Sequence, residues 1–425
     1  MKRIFFSLIL FFSVQISFAN LLYDIVDGKF KVKDLVVPYS MNDGENYTLM
    51  VNKKAIVKFN YKTGGVVDTL FSVSRLQNAP FKEIEGYEFS PNETKLLVYT
   101  NVKKRYRRTF TADYYIYDIK RNEIQPLSEY GPQESPLFSP DNRYVAFARN
   151  NNLYLKKIDF NTESAITKDG EKNKIINGVP DWLYEEEFGA VRCFEWSPDS
   201  KLLAFIKFDE TEVPEFSYQL YADSTKMIDG LSLYPTTVTY KYPKAGQNIS
   251  KVSVCIFDER QKSIRTIQLN TLDENFYIPR IKWTSSVDQL AIFTLNRNQN
   301  EMKMFLANPK STLSKLILQE KDDNYIDYRN FNFYQFSSDN QYFIGVNEKN
   351  GYRHVYQYQI NGTLIKQLTA GNWDVTDVYG FDENTQTLYY QSAETSPLQR
   401  DVYAITTKGK KTRLTDGKGV HQAVF

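Results

Sequence analysis

Histidine and cysteine are almost missing from this chain, which carries two of each in 425 residues. Cys193 and Cys255 are too few to frame a disulfide-stapled fold or to close a structural zinc site. The histidines are equally isolated. His354 stands in the strand-like run Gly351-Tyr352-Arg353-His354-Val355-Tyr356, which suits a structural role, and His421 lies close to the last residue. No Gly-x-Ser-x-Gly elbow occurs, nor His-Glu-x-x-His, Cys-x-x-Cys or a phosphate-cradling glycine loop. The chain therefore reads as having no catalytic constellation of its own, no metal site and no cofactor. Charge of one sign is also missing: the net value is +2, with acidic and basic residues interleaved, which argues against nucleic acid as a partner. After the first twenty residues no apolar run is long enough to span a bilayer of about 30 Å.

The first residues have a different character. Lys2 and Arg3 precede the apolar stretch Ile4 to Ile16, and Ser17-Phe18-Ala19 follows with small residues where a signal peptidase reads. Residues 1–19 are expected to be a secretory signal peptide, leaving residues 20–425 as an exported, periplasmic or secreted protein without a membrane span. Export would permit a bond between Cys193 and Cys255. Their strand-like settings favour two separate buried thiols.

Aromatic residues are abundant: 31 Tyr and 29 Phe favour the half-buried surface of strands. A phrase of aromatic, Ser-Pro-Asp turn and apolar strand recurs. It reads Phe89-Ser90-Pro91-Asn92, Phe138-Ser139-Pro140-Asp141 and Trp196-Ser197-Pro198-Asp199, with weaker copies at Trp283, Phe336 and Phe381. Proline pre-sets φ in such a turn and Asp or Asn bonds the backbone ahead. Most copies start 45 to 58 residues apart, close to the roughly 40–50 residues of a four-stranded propeller blade. The gap of 87 residues after Trp196 implies a degenerate blade or an insertion, with an excursion over Tyr221 to Gln247. Thr48 to Phe71 reads as another blade, turning at Gly64-Gly65. The expected class is all-β, a β-propeller of four-stranded blades with no α/β-hydrolase domain in the chain. Phe425 falls where the next turn is due, so the last blade is expected to be incomplete and the chain to stop in mid-blade.

Two segments interrupt the blade pattern. Asp181-Trp182-Leu183-Tyr184-Glu185-Glu186-Glu187-Phe188-Gly189 reads as a short helical turn opened by Asp181. Three adjacent carboxylates repel unless a cation is near, and neighbouring helix residues point about 100° apart, so two converge on one ligand only at a helix end or distorted turn. Arg105-Tyr106-Arg107-Arg108-Thr109-Phe110 is a basic stretch before a strand. Taken alone, both are solvated surface charge.

Together they resemble the dipeptidyl peptidase IV family of the prolyl oligopeptidase group. The likeness runs through Asp181-Trp182-Leu183-Tyr184-Glu185-Glu186-Glu187, Trp196-Ser197-Pro198-Asp199, Phe208-Asp209-Glu210-Thr211-Glu212-Val213-Pro214 and Tyr242-Pro243-Lys244-Ala245-Gly246. It extends to the Thr111 to Asp118 strand and Gly351-Tyr352-Arg353-His354. The resemblance implies an eight-bladed propeller capping an α/β-hydrolase domain expected downstream, in a serine peptidase that removes dipeptides with Pro or Ala second. It implies that Glu186 and Glu187 grip the free ammonium of a peptide N-terminus and that Arg107, with Arg108 one residue away, contacts its carbonyl. It also implies an arm near Tyr221 to Gln247 that serves a homodimer. No position matches the family's serine, aspartate, histidine or oxyanion-hole tyrosine, so the chain alone is expected to be inactive. A free-standing secreted propeller that binds peptides or proteins is the alternative. A carbohydrate-active propeller has only the glutamate run in its favour.

Overall fold

In a computed structural model that describes residues 21–31, 36–221, 234–269 and 275–425, the repeated phrase is a turn held by its serine. Ser139 Oγ donates to Asp141 Oδ1 at 2.6 Å and accepts the Tyr144 N–H at 3.0 Å. Ser197 does the same with Asp199 and Leu202, Ser90 with Asn92 and Lys95, and Ser337 with Asp339 and Tyr342. All four serines are buried. The aspartate bonding expected from sequence is present, but the hydroxyl joins it to the next strand. Ser139→Ala is therefore expected to destabilise the fold by about 1–2 kcal/mol, because the buried Tyr144 amide loses the hydroxyl as acceptor and Asp141 loses one of its two donors. Equilibrium denaturation checks this; an unchanged midpoint would show that the hydroxyl contributes nothing.

These turns link antiparallel strands into seven sheets of four strands, one with a fifth. Their outer strands are Val66–Ser72, Glu123–Pro126, Thr162–Ala165, Ser263–Thr266, Ser314–Lys321, Leu364–Gln367 and Lys411–Arg413. Seven sheets of this kind make a β-propeller, as the period predicts. The eight-bladed expectation with an incomplete last blade is corrected: among the described residues the strands form seven blades, each of at least four strands. Residues 414–425 contribute one isolated bridge, Arg400 to Val420, and no strand. Phe425 instead packs on Tyr379 and Tyr389 of the seventh blade. A strand needs a ladder, and here the pairing with Arg400 is confined to the bridge at Val420.

By their contacts, residues up to Tyr39 form one unit and Ser40–Phe425 another. In the first, residues 21–26 are helical; the signal-peptide expectation for residues 1–19 lies outside the described residues. In the second, hydrophobic cores lie between successive blades, such as Leu97, Ile116, Phe138 and Phe147 between the second and third. The aromatic that opens each phrase sits at these seams. Trp196 stacks on Tyr144 and donates its indole N–H to the Leu137 carbonyl of the blade before it. Trp283 repeats the contact on Glu195. Cys193 and Cys255 are separate, buried thiols; burial pushes Cys193 up to about 12. His354 is also buried, held by Thr369 Oγ1 and the Gly371 carbonyl, and burial lowers its pKa.

The long gap is an insertion. The fourth blade runs from Ile175–Asn177 to Ser263–Thr266 and is interrupted by a two-stranded ribbon, Glu215–Leu220 paired with Thr236–Lys241. The ribbon is more regular than the excursion expected there. Among the described residues, no helix is long and apolar enough to cross a membrane.

Candidate functional site

Three segments that leave the blade pattern meet at one place. The first is the short helix Trp182–Phe188. Asp181 caps it by accepting the Tyr184 N–H at 2.8 Å, as the sequence implies. Gly189 ends it at φ 62°, where the Ala190 N–H reaches back to the Tyr184 carbonyl at 3.1 Å. Tyr184 and Phe188, one turn apart, bury against Phe208 and Tyr277, and Tyr184 Oη accepts the Ile278 N–H. This anchoring leaves the three glutamates pointing in different directions. Glu185 is fully buried, Glu186 is partly exposed and Glu187 is exposed.

The second segment is the tip of the hairpin between Lys95–Lys104 and Phe110–Asp118, closed by the Arg105 N–H on the Thr109 carbonyl. Arg107 Nε stands 3.0 Å from one oxygen of Glu186 and 3.1 Å from the other. Arg108 Nη1 is 4.0 Å from Glu186 and donates instead to the Glu185 carbonyl at 2.7 Å. The third segment is the ribbon base. Trp182 packs on Tyr242, with ring centres 4.0 Å apart, and Tyr106 meets Tyr240.

Of the residues singled out from sequence, the structure thus joins Arg107 to Glu186 across 79 positions. Glu187 is on the same helix but exposed, near enough to Tyr277 that its charge adds to the effect of burial in raising the phenol's pKa. The cation that three adjacent carboxylates require is Arg107 for Glu186, whereas Glu185 is satisfied by hydrogen-bond donors. Its carboxylate takes the Arg108 and Thr109 N–H groups and the Thr109 hydroxyl.

Beneath this surface lies a buried acidic group that sequence reading passed over. Arg105 donates to both oxygens of Glu134, at 3.1 and 3.3 Å. Burial raises the pKa of Glu134 although Arg105 opposes it. Burial also raises Asp181, against a hydrogen bond from Ser250 Oγ. Glu210, inside the Asp209 to Pro214 run, is raised to about 7 by burial first and by Asp181 second. A carboxyl raised in the folded state stabilises below its unfolded pKa and loses that contribution as pH rises through the folded value. Glu210→Gln is therefore expected to match wild type near pH 4.5. At pH 8 it should be more stable by about 1–3 kcal/mol. Thermal unfolding at both values checks this; an equal offset at both would remove Glu210 from the titration. No group of three or more His, Cys, Asp or Glu suited to a metal occurs among the described residues.

Comparison with known proteins bears on this arrangement. The family model for the dipeptidyl peptidase IV (DPP IV) N-terminal region matches residues 90–425. A probable dipeptidyl peptidase 4 of Emericella nidulans is 32% identical over 339 residues, 76% of this chain and 42% of its own length. Dipeptidyl peptidase 4 of Trichophyton rubrum is 30% identical, over 75% of this chain and 41% of its own. The crystal structure of Porphyromonas gingivalis dipeptidyl peptidase 4 superposes with a TM-score of 0.89 at 43% identity, covering 95% of this chain and 56% of that one. The chain thus spans about two fifths of the length of these curated relatives. A propeller of four-stranded blades, the helix with its glutamate run and a family match over most of the sequence agree: this chain belongs to the dipeptidyl peptidase IV family and carries its N-terminal propeller region.

Proposed function

We propose that this propeller anchors the free N-terminus of peptides and gates their access in an exported serine dipeptidyl peptidase, whose hydrolytic residues would come from an α/β-hydrolase domain downstream. The observation that carries it is the meeting of Arg107 with Glu186 at 3.0 Å on the helix that also presents Glu187. Two carboxylates facing one ammonium allow both to stay ionised and reward a free N-terminus. Arg107 offers planar donors suited to the peptide carbonyl. Because the amine is the fixed point, such a site measures two residues to the scissile bond. In the free protein Arg107 occupies Glu186, so an arriving ammonium takes over that carboxylate while the guanidinium turns to the carbonyl. The ribbon of the fourth blade is proposed to serve a homodimer, on the family's pattern.

The test is binding of Ala-Pro-Ala to the 425-residue chain by calorimetry, against the same peptide N-acetylated. The free peptide is expected to bind at least tenfold more tightly, since acetylation removes one charge-assisted contact worth about 1.5–3 kcal/mol. Equal affinities would sink the amine-anchoring reading. Hydrolysis of a Gly-Pro amide by the purified chain would overturn its dependence on a further domain.

A further inference from the structure

Glu185 is the least exposed of the three glutamates, yet nothing in the anchoring role uses it. Its carboxylate faces the hairpin tip. One oxygen accepts the main-chain N–H groups of Arg108 and Thr109, and the other accepts the Thr109 hydroxyl. The contact is returned from the other side, because Arg108 Nη1 donates to the Glu185 carbonyl at 2.7 Å. Arg105 is held inward by Glu134, but the two arginines nearest the helix are more exposed. The Arg107 side chain is 71% exposed and Arg108 38% exposed, so their own surroundings fix them weakly. What fixes them is the backbone between them and Thr109, which is buried at 2% exposure.

We infer that Glu185 is a positioning residue: it clamps the Arg105–Thr109 tip to the helix, so that Arg107 stands against Glu186, on the helix that also presents Glu187, with its backbone already ordered. This inference rests on the anchoring role of Arg107, Glu186 and Glu187. The clamp joins segments 76 to 77 residues apart, on two different blades, with no covalent link. Without it, a peptide would have to order the tip as it binds, and affinity would fall by the free energy of that ordering.

The test uses the 425-residue chain with Glu185→Ala, Glu185→Gln and Thr109→Val. Two readouts are taken: affinity for Ala-Pro-Ala, and hydrogen exchange of the segment holding the Arg108 and Thr109 amides. Glu185→Ala is expected to release those amides and weaken binding about tenfold or more, since three donors, two of them on buried Thr109, lose their acceptor. Glu185→Gln keeps an oxygen for the two amides and an NH2 for the Thr109 hydroxyl, so it should restore both readouts to within about threefold. A merely structural role would not give that rescue together with exchange confined to the tip. Unchanged exchange at Arg108 and Thr109 in Glu185→Ala, or released amides with unchanged affinity, would overturn the clamp. If wild type does not bind the peptide, the anchoring reading fails and exchange alone decides the clamp. If Glu185→Ala does not fold, Thr109→Val is expected to bind more weakly than Glu185→Gln, and equal affinities would refute the proposal.

Discussion

Arg105→Ala should destabilise the propeller by about 3 kcal/mol, among the largest effects of any single change at this site. Arg105 is the ion-pair partner of Glu134, whose side chain is 9% exposed. Its charge also lowers the pKa values of Asp181 and Glu210. Burial works against the guanidinium's own charge, and Glu134 with Tyr106 more than offsets it, so the pKa of Arg105 lies above its ordinary value. Removing it strands Glu134 in a place where burial already favours the neutral acid. Breaking a buried pair from one side leaves the partner charge uncompensated, which is why truncation costs more than the pair contributes. The loss should grow as pH rises, because the three carboxyls shed protons they would rather keep. Adding Glu134→Gln to Arg105→Ala should recover part of the stability, since the stranded charge is gone. Denaturant unfolding at pH 5 and pH 8 for the single and double variants measures both effects. A single variant as stable as wild type at both pH values would show that solvent compensates Glu134 without Arg105.

The blades were legible because their signal is local. Phe138-Ser139-Pro140-Asp141 and its copies carry the whole turn within six residues, closing on the next strand at Tyr144. The helix was legible for the same reason: Asp181 and Gly189 mark its ends within nine residues. The hydroxyl's role was hidden because Pro and Asp already explain a turn, and only geometry shows that Ser139 Oγ also accepts the Tyr144 amide. The ribbon was missed although Thr236-Thr237-Val238-Thr239-Tyr240 has strand composition, because its partner lies across the insertion. The eighth blade came from the family resemblance, and the expected incomplete blade from extending the period one step past the last ladder, to Phe425. In the candidate site, Glu186 and Arg107 were singled out by family resemblance, and spacing alone would have left both as surface charge. Glu185 shows the limit most plainly. In sequence it is one of three like residues, and only the hairpin tip, 76 residues earlier, makes it different.

Glu186→Ala and Glu187→Ala should each weaken binding of a free peptide N-terminus by about tenfold to a hundredfold, and leave the acetylated peptide unaffected. The two losses should differ in character. Glu186 is held by Arg107, so its removal also frees the guanidinium. Arg107 then repels the incoming ammonium, and Glu186→Ala is expected to be the more severe. Glu187 is exposed, so its attraction is screened, and the Glu187→Ala penalty should shrink as salt rises past about 0.15 M. Neither change should unfold the chain, because Arg107 lies largely in solvent and its surface ion pair contributes at most about 1 kcal/mol. The free peptide's affinity should also fall above about pH 8, where an α-amino group loses its proton. That loss should be absent from the double variant, which has no carboxylate left to read the charge. A double variant that keeps both the pH dependence and the preference for the free N-terminus would mean that the ammonium is recognised elsewhere on the propeller, and Glu186 and Glu187 would revert to solvated surface charge.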